Sequence, residues 1–203
     1  MHSMKKVQRG WVITGILAVL VVAGIVWFNK SKPFYPEINS ARPVKGNPAA
    51  TIALEEFSDF QCPACQAAQP VVKEVVDTLG DRIKLQFKHY PLVTIHTQAF
   101  RAALAAECAN DQGKFWEYHD ILFDKQPNFS RDDLLAYAEQ LELKTDSFAA
   151  CLDARAKTAV VRADVAEGDK RGVNSTPTFF LNGEKVQDWT KLKELVQSKL
   201  VGG

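Results

Sequence analysis

The sequence predicts an α/β domain in which a β-α-β unit, a helical insertion and a β-β-α unit follow one another, behind one N-terminal transmembrane helix. Three observations predict this order. Short strand-like runs stand at both ends of the domain, apolar residues repeat at helical spacing between them, and an uncharged apolar segment precedes them all. The helical block is too long for a loop, so we expect a subdomain that covers the sheet.

The first element is the apolar segment over residues 11–28. As a helix of about 1.5 Å per residue it would measure about 27 Å, close to the roughly 30 Å of a bilayer's hydrocarbon core. We predict a retained anchor that leaves residues 1–10 in the cytoplasm and the rest of the chain outside, in the periplasm or its extracytoplasmic equivalent. A cleaved signal peptide is the alternative, but the run is long for one and no small-x-small cleavage site follows it.

Residues 29–49 contain several prolines among polar residues and predict a linker or a partly docked arm. The domain then occupies residues 50–203. Its β-α-β unit comprises a strand over residues 51–57, a helix over residues 63–79 and a strand over residues 82–87.

The helical insertion covers about residues 97–171. Helical spacing predicts helices over residues 99–109 and 115–123, a capped helix from Ser130 to about Leu141, and one long helix over about residues 147–170.

The last unit begins with a short apolar strand over residues 178–181. Asn182-Gly183 is a strong hairpin signal and leads to a second strand over residues 185–187. A final helix over residues 190–200 places four apolar residues on one face; these are Leu192, Leu195, Val196 and Leu200.

Charge excludes one large class of function. Lysine and arginine number 25 against 24 aspartates and glutamates, for a formal net charge of +1. A nucleic-acid-binding domain usually carries a basic excess, so we expect no nucleic-acid partner.

Cys62 and Cys65 form a Cys-Pro-Ala-Cys motif that follows the first strand and a short turn and lies at the start of the first helix. A zinc site would need a second close pair of ligands, whereas Cys108 and Cys151 stand apart, so we expect neither a metal nor a cofactor. The position of the motif suits a redox-active cysteine pair, because unpaired N–H groups at the start of the helix stabilise the thiolate of Cys62 and lower its pKa. Cys65, one turn deeper, can attack a mixed disulfide at Cys62.

Two motifs together resemble the DsbA-like branch of the thioredoxin superfamily. They are residues 57–65, which end in the cysteine pair, and residues 176–183, which begin with Thr176-Pro177. The resemblance covers about residues 50–200 and implies a thioredoxin fold with an inserted helical subdomain. It also implies a protein disulfide oxidoreductase.

The resemblance carries roles to individual residues. Pro177 is implied to be a cis-proline that faces the cysteine pair, while substrate binds the backbone of Thr176 together with Pro63 and Ala64. Glu56 matches a buried acid that assists proton transfer at Cys65.

Three further residues bear on this comparison with the family. Neighbouring Glu55 would take the role of Glu56 if the strand register slipped by one residue. Pro70 matches a kink proline in the first helix. Ala64 departs from strongly oxidising members, which have a histidine between the cysteines, so we expect a less extreme reduction potential.

Cys108 and Cys151 lie on separate predicted helices of the insertion. In an oxidising compartment they favour a structural disulfide, and two unpaired core thiols are the alternative.

The expected activity is formation of disulfides in exported proteins, with reoxidation by a membrane partner of the DsbB or VKOR type. A reductase or isomerase of the same fold is the alternative, and a non-catalytic chaperone or binding module is a weaker one. We expect a monomer, since residues 29–49 contain no pattern typical of a dimerisation domain.

Overall fold

The computed structural model describes residues 42–201. This part of the chain contains five strands and seven helices. The strands are β1 (Val44–Gly46), β2 (Ile52–Ser58), β3 (Ile83–His89), β4 (Thr178–Leu181) and β5 (Glu184–Lys185). The helices are α1 (Pro63–Leu79), α2 (Ala99–Asn110), α3 (Phe115–Asp124), α4 (Arg131–Gln140), α5 (Thr145–Asp153), α6 (Thr158–Lys170) and α7 (Leu192–Val201).

The five strands form one mixed sheet in the order β1-β3-β2-β4-β5. β2 and β3 are parallel because α1 crosses between them, and the other pairs are antiparallel. The predicted mixed α/β thioredoxin-like fold is therefore confirmed, including the helical block between its two halves. Asn182 and Gly183 both have positive φ, 49° and 83°, as a tight hairpin turn requires.

The N-terminal boundary of the domain differs from the expectation. β1 lies within residues 29–49, for which the sequence predicts a linker or a partly docked arm, and it pairs antiparallel with β3 through Val44 and Gln86. Arg42 secures the same segment, because its guanidinium lies 2.7 Å from the buried carboxylate of Asp164. The folded domain thus begins before residue 50.

The single long helix expected over residues 147–170 is wrong. The chain forms α5 and α6 instead, and Arg155 between them has a φ of 51°. Both helices pack against α2, but α5 also packs against α4, whereas α6 also packs against β3. No glycine or proline marks this break, so packing alone accounts for it.

The sheet has a core on each face. One face packs against α1 and α7, and its buried residues include Leu54, Val72 and Val196. The other face carries Phe57, which meets the ring of Phe180 edge to face. Along α7 the predicted apolar face is only partly buried, because Leu192 and Val196 are covered while Leu195 is exposed.

The predicted anchor over residues 11–28 lies outside the described residues. Within residues 42–201, every helix is too short or too polar to span a lipid bilayer.

Candidate active site

Cys62 is the residue that immediately precedes α1, and its side chain is directed at the open end of that helix. Its backbone is extended, with φ −82° and ψ 120°, and Pro63 follows at the first helical position. The N–H of Cys62 donates to the carbonyl oxygen of Asp59 at 3.0 Å, which closes the turn between β2 and α1. Pro63 fits here because the first N–H groups of a helix have no partner within it.

The thiol of Cys62 is much more acidic than an ordinary cysteine. A hydrogen bond from Cys65 lowers its pKa to about 5, against the opposing effect of burial. Thr176 and the backbone N–H groups of Cys65 and Ala64 lower the pKa further. At neutral pH this sulfur is therefore a thiolate, the form that attacks and leaves in disulfide exchange.

Cys65 behaves in the opposite way. Its side chain is fully buried, and burial raises the pKa of its thiol strongly, helped by the adjacent Cys62. The N–H of Asp59 points at its sulfur from 3.5 Å. The pair thus combines one anionic sulfur near the surface with one protonated sulfur beneath it.

Thr176 and Pro177 reach the cysteines from the far end of the domain. The peptide bond between them is cis, in agreement with the resemblance. β4 follows directly and pairs with β2, where Thr178 stands opposite Phe57. This pairing brings the carbonyl oxygen of Thr176 to 3.5 Å from the sulfur of Cys62.

Glu56 is the acid beneath the cysteines. It lies on β2 facing α1, is 1% exposed, and accepts a hydrogen bond from the amide of Gln69 at 3.0 Å. Burial raises the pKa of Glu56 to about 7. Glu55 lies on the opposite face, where its carboxylate pairs with Arg171 at 2.8 Å, so the register places Glu56 below the cysteine pair.

The remaining residues singled out in the first helix also have defined places. Pro63 and Ala64 are exposed beside the sulfur of Cys62, where an incoming chain can reach them. Pro70 lies inside α1.

Cys108 and Cys151 are joined by a disulfide, with Cα atoms 5.9 Å apart. The bond links α2 to α5 within the helical insertion.

Sequence reasoning missed three polar residues that hold the site together. The carboxylate of Asp59 accepts hydrogen bonds from the N–H of Gln61 at 2.7 Å and from the ring of His96 at 2.8 Å. An aspartate whose carboxylate accepts a hydrogen bond from the backbone N–H two residues later is a recognisable turn signal. The amides of Gln69 and Gln126 carry no such signal. Gln126 donates to the carbonyl oxygen of Phe60 at 2.6 Å and so ties the insertion to the active-site turn.

Comparison with known proteins identifies the family. A family model described as thioredoxin matches residues 39–198. The structure of BdbD from Bacillus subtilis superposes with a TM-score of 0.69 at 26% identity, over 79% of this chain and 94% of that one. A thioredoxin-like oxidoreductase from Silicibacter pomeroyi superposes with a TM-score of 0.70, also at 26% identity, over 80% of this chain and 93% of that one.

Curated relatives include much longer proteins. The Na(+)/H(+) antiporter NhaA 1 of Salinispora arenicola is 41% identical over 142 residues, which are 70% of this chain and 22% of the relative. The chain therefore spans about a fifth of the length of such relatives, and the antiporter name describes proteins that extend far beyond the matched region. From the family match, the fold and the oxidoreductase neighbours together, we conclude that the chain belongs to the thioredoxin family, in its DsbA-like branch of thiol–disulfide oxidoreductases.

Proposed function

We propose that this protein is a membrane-anchored oxidase that introduces disulfide bonds into exported proteins through Cys62 and Cys65. Cys62 is the sulfur that exchanges with substrate, and Cys65 is its resolving partner. Residues 11–28 form the anchor and hold the domain outside the cytoplasmic membrane. DsbA-like proteins act on thiols, generally with a membrane redox partner, and here a partner of the DsbB or VKOR type restores the disulfide.

The lowered pKa of Cys62 carries the proposal. A thiolate stabilised at pH 7 favours the reduced form of the pair, so the disulfide is a better oxidant than one between ordinary thiols. In the oxidising direction a substrate thiolate attacks the sulfur of Cys62 and Cys65 leaves. A second substrate thiol then displaces Cys62, which leaves readily because it is stable as an anion.

The neighbouring elements support a substrate that binds as an extended chain. The backbone of Thr176 lies beside the sulfur of Cys62 and can pair with such a chain in the manner of an added strand. Pro63 and Ala64 are exposed on the other side of the same sulfur. Glu56 supplies or accepts the proton that Cys65 exchanges during the reaction.

Rapid thiol trapping in intact cells tests the direction of the reaction. Cells are quenched with acid, free thiols are alkylated with a reagent of high mass, and the full chain is separated by size. We expect Cys62 and Cys65 to be mostly oxidised and to become reduced when the membrane partner is depleted. A mostly reduced pair would instead support a reductase or isomerase, and a Cys62→Ser variant without any phenotype would support a binding module.

Membrane attachment needs its own test. We expect the full chain to fractionate with membranes and to resist extraction at high pH. The Leu17→Arg/Leu20→Arg variant, which places charge in the apolar segment, should be lost from the membrane fraction. Recovery of the natural chain in the soluble fraction would contradict the anchor and leave the redox chemistry untouched.

A further inference from the structure

Three side-chain oxygen atoms around the cysteine pair are buried without a hydrogen-bond partner. They are Oε2 of Glu56, Oγ of Ser58 and Oγ1 of Thr176. Nearly all buried polar atoms in folded proteins have a partner, so an unpaired group needs a specific reason. These three atoms all belong to residues around one pair of reactive sulfurs.

Ser58 stands on the path from Glu56 to Cys65. Alternate residues of a strand share a face, so Ser58 follows Glu56 on the face of β2 that packs against α1. Ser58 is 1% exposed, and the N–H of the next residue, Asp59, points at the sulfur of Cys65 from 3.5 Å. The hydroxyl is therefore at the level of that sulfur, one step along the strand from the carboxylate.

The side chain of Ser58 acts on both of its neighbours. Burial raises the pKa of Glu56 and of Cys65, and the hydroxyl of Ser58 lowers both. Neither contact has full hydrogen-bond geometry in this structure. Proton-transfer contacts are commonly loose in the resting enzyme and shorten when the reaction proceeds.

Gln69 fixes the orientation of the carboxylate. Its amide donates to Oε1 of Glu56 at 3.0 Å and to the carbonyl oxygen of Cys65 at 3.2 Å. One carboxylate oxygen is thus held by α1, while Oε2 remains free to exchange a proton with a neighbour.

We propose that the hydroxyl of Ser58 relays the proton between Glu56 and Cys65. When a substrate thiolate attacks the sulfur of Cys62, the S–S bond breaks and Cys65 departs with the electron pair. Ser58 gives its hydroxyl proton to the sulfur of Cys65 and receives the carboxylic proton of Glu56, which is left as a carboxylate. The same transfers run backwards when Cys65 attacks a mixed disulfide at Cys62. This inference rests on the proposed role of the Cys62–Cys65 pair.

The test measures how fast glutathione reduces the Cys62–Cys65 disulfide of the full chain in detergent, between pH 5 and 9. We expect Ser58→Ala to slow reduction ~100-fold, at the lower end of the range for assisted proton transfer. Ser58→Thr retains the hydroxyl and should restore the rate. The matched control is Tyr118→Phe, which removes another buried hydroxyl, bonded to the carbonyl oxygen of Leu134 in the insertion.

A double-mutant cycle separates a relay from a packing effect. If Ser58 and Glu56 act in one path, Glu56→Gln/Ser58→Ala should be no slower than Glu56→Gln alone. The relay is wrong if the two single effects multiply, or if Ser58→Ala reacts at the natural rate while its fold is intact in urea unfolding. A natural protein that fails to exchange with glutathione would overturn the proposed function instead.

Discussion

The sulfur of Cys62 lies 3.5 Å from the carbonyl oxygen of Thr176, although 114 residues separate them in the chain. Antiparallel pairing of β2 with β4 creates this contact, because it aligns the strand before the cysteines with the strand after the cis-proline. The active site is therefore assembled by the central strands of the sheet, and its properties depend on that pairing.

The acidity of Cys62 gives the first prediction. Its thiolate should form with a midpoint near pH 5, measured by ultraviolet absorbance or by the rate of alkylation. Because the hydrogen bond from Cys65 is the largest cause, Cys65→Ala should raise the pKa of Cys62 markedly. The Cys108–Cys151 disulfide contributes no titrating thiol. A natural protein that titrates near the ordinary value of 9.0 would contradict the assignment.

The same shift makes stability depend on pH in the reduced protein. The pKa of Cys62 is lower in the folded than in the unfolded state, so ionisation of this thiol stabilises the folded protein. The stabilisation is complete when the pH exceeds the pKa of the unfolded chain, and it is lost as pH falls through about 5. The oxidised protein lacks this ionisation. Raising the pH from 4 to 7 should therefore increase the free energy of unfolding of the reduced protein by on the order of 1 kcal/mol more than that of the oxidised protein, after allowance for solvent screening. Urea unfolding of both forms measures this difference. An unchanged difference, or one of opposite sign, would refute the shift.

Glu56 predicts a pH dependence in the other direction. Burial raises the pKa of Glu56 from 4.5 to about 7, so the folded protein loses stability as pH rises through this window. At pH 8, Glu56→Gln should be more stable than the natural protein by about 2–3 kcal/mol in urea unfolding. Glu55→Gln is the control, because it alters the adjacent residue on the opposite face and removes its ion pair with Arg171. If the two variants had the same free energy of unfolding at pH 8, Glu56 would have to ionise normally.

The disulfide of the insertion should matter for stability and not for chemistry. Cys108 and Cys151 are 43 residues apart, and closing such a loop contributes about 4 kcal/mol in the chain-entropy model. We expect Cys108→Ala/Cys151→Ala to lose about 3–4 kcal/mol in urea unfolding and to keep the natural rate of exchange with glutathione at temperatures where it is folded. A folded variant with a strongly altered exchange rate would assign this pair a role in the reaction.

The ion pair between Arg42, which is 23% exposed, and the buried carboxylate of Asp164 predicts a large effect at the domain boundary. Arg42→Ala leaves the carboxylate of Asp164 buried, with the side chain 0% exposed and its main cation removed. We expect a loss of about 3 kcal/mol in urea unfolding, as for other broken buried pairs. Arg131→Ala is the matched control, because Arg131 pairs with Asp153 at the same distance of 2.7 Å on the surface and should cost at most about 1 kcal/mol. Similar losses in both variants would show that the Arg42 pair is not a buried anchor.

The order of elements follows largely from local patterns. Alternation in β2 and β3, the proline at the start of α1, the capping box at Ser130 and the Asn182-Gly183 turn each reflect contacts between residues close in the chain. The cysteine motif and the Thr176-Pro177 motif also identified the family, because both are short and their order is specific. Local signals of this kind survive in the sequence since they act before tertiary packing.

Other features have no local signal. Residues 44–46 contain little that is typical of a strand, yet they pair with β3. Just before them, Arg42 lies close to the buried carboxylates of Asp164 and Glu107. The break between α5 and α6 has no breaker residue, and the neighbours that distinguish the two helices, α4 for α5 and β3 for α6, are known only from the packed structure.

The chemistry available to this protein follows from the amino-acid sequence alone, since two cysteines at the start of a helix can form a thiolate and its resolving partner. How far the pKa of each thiol is shifted depends on the tertiary structure, because burial and the contact with the side chain of Thr176 arise only when segments distant in the chain pack together. Electrostatic energies depend on distance and solvent exposure, and the packed sheet sets both.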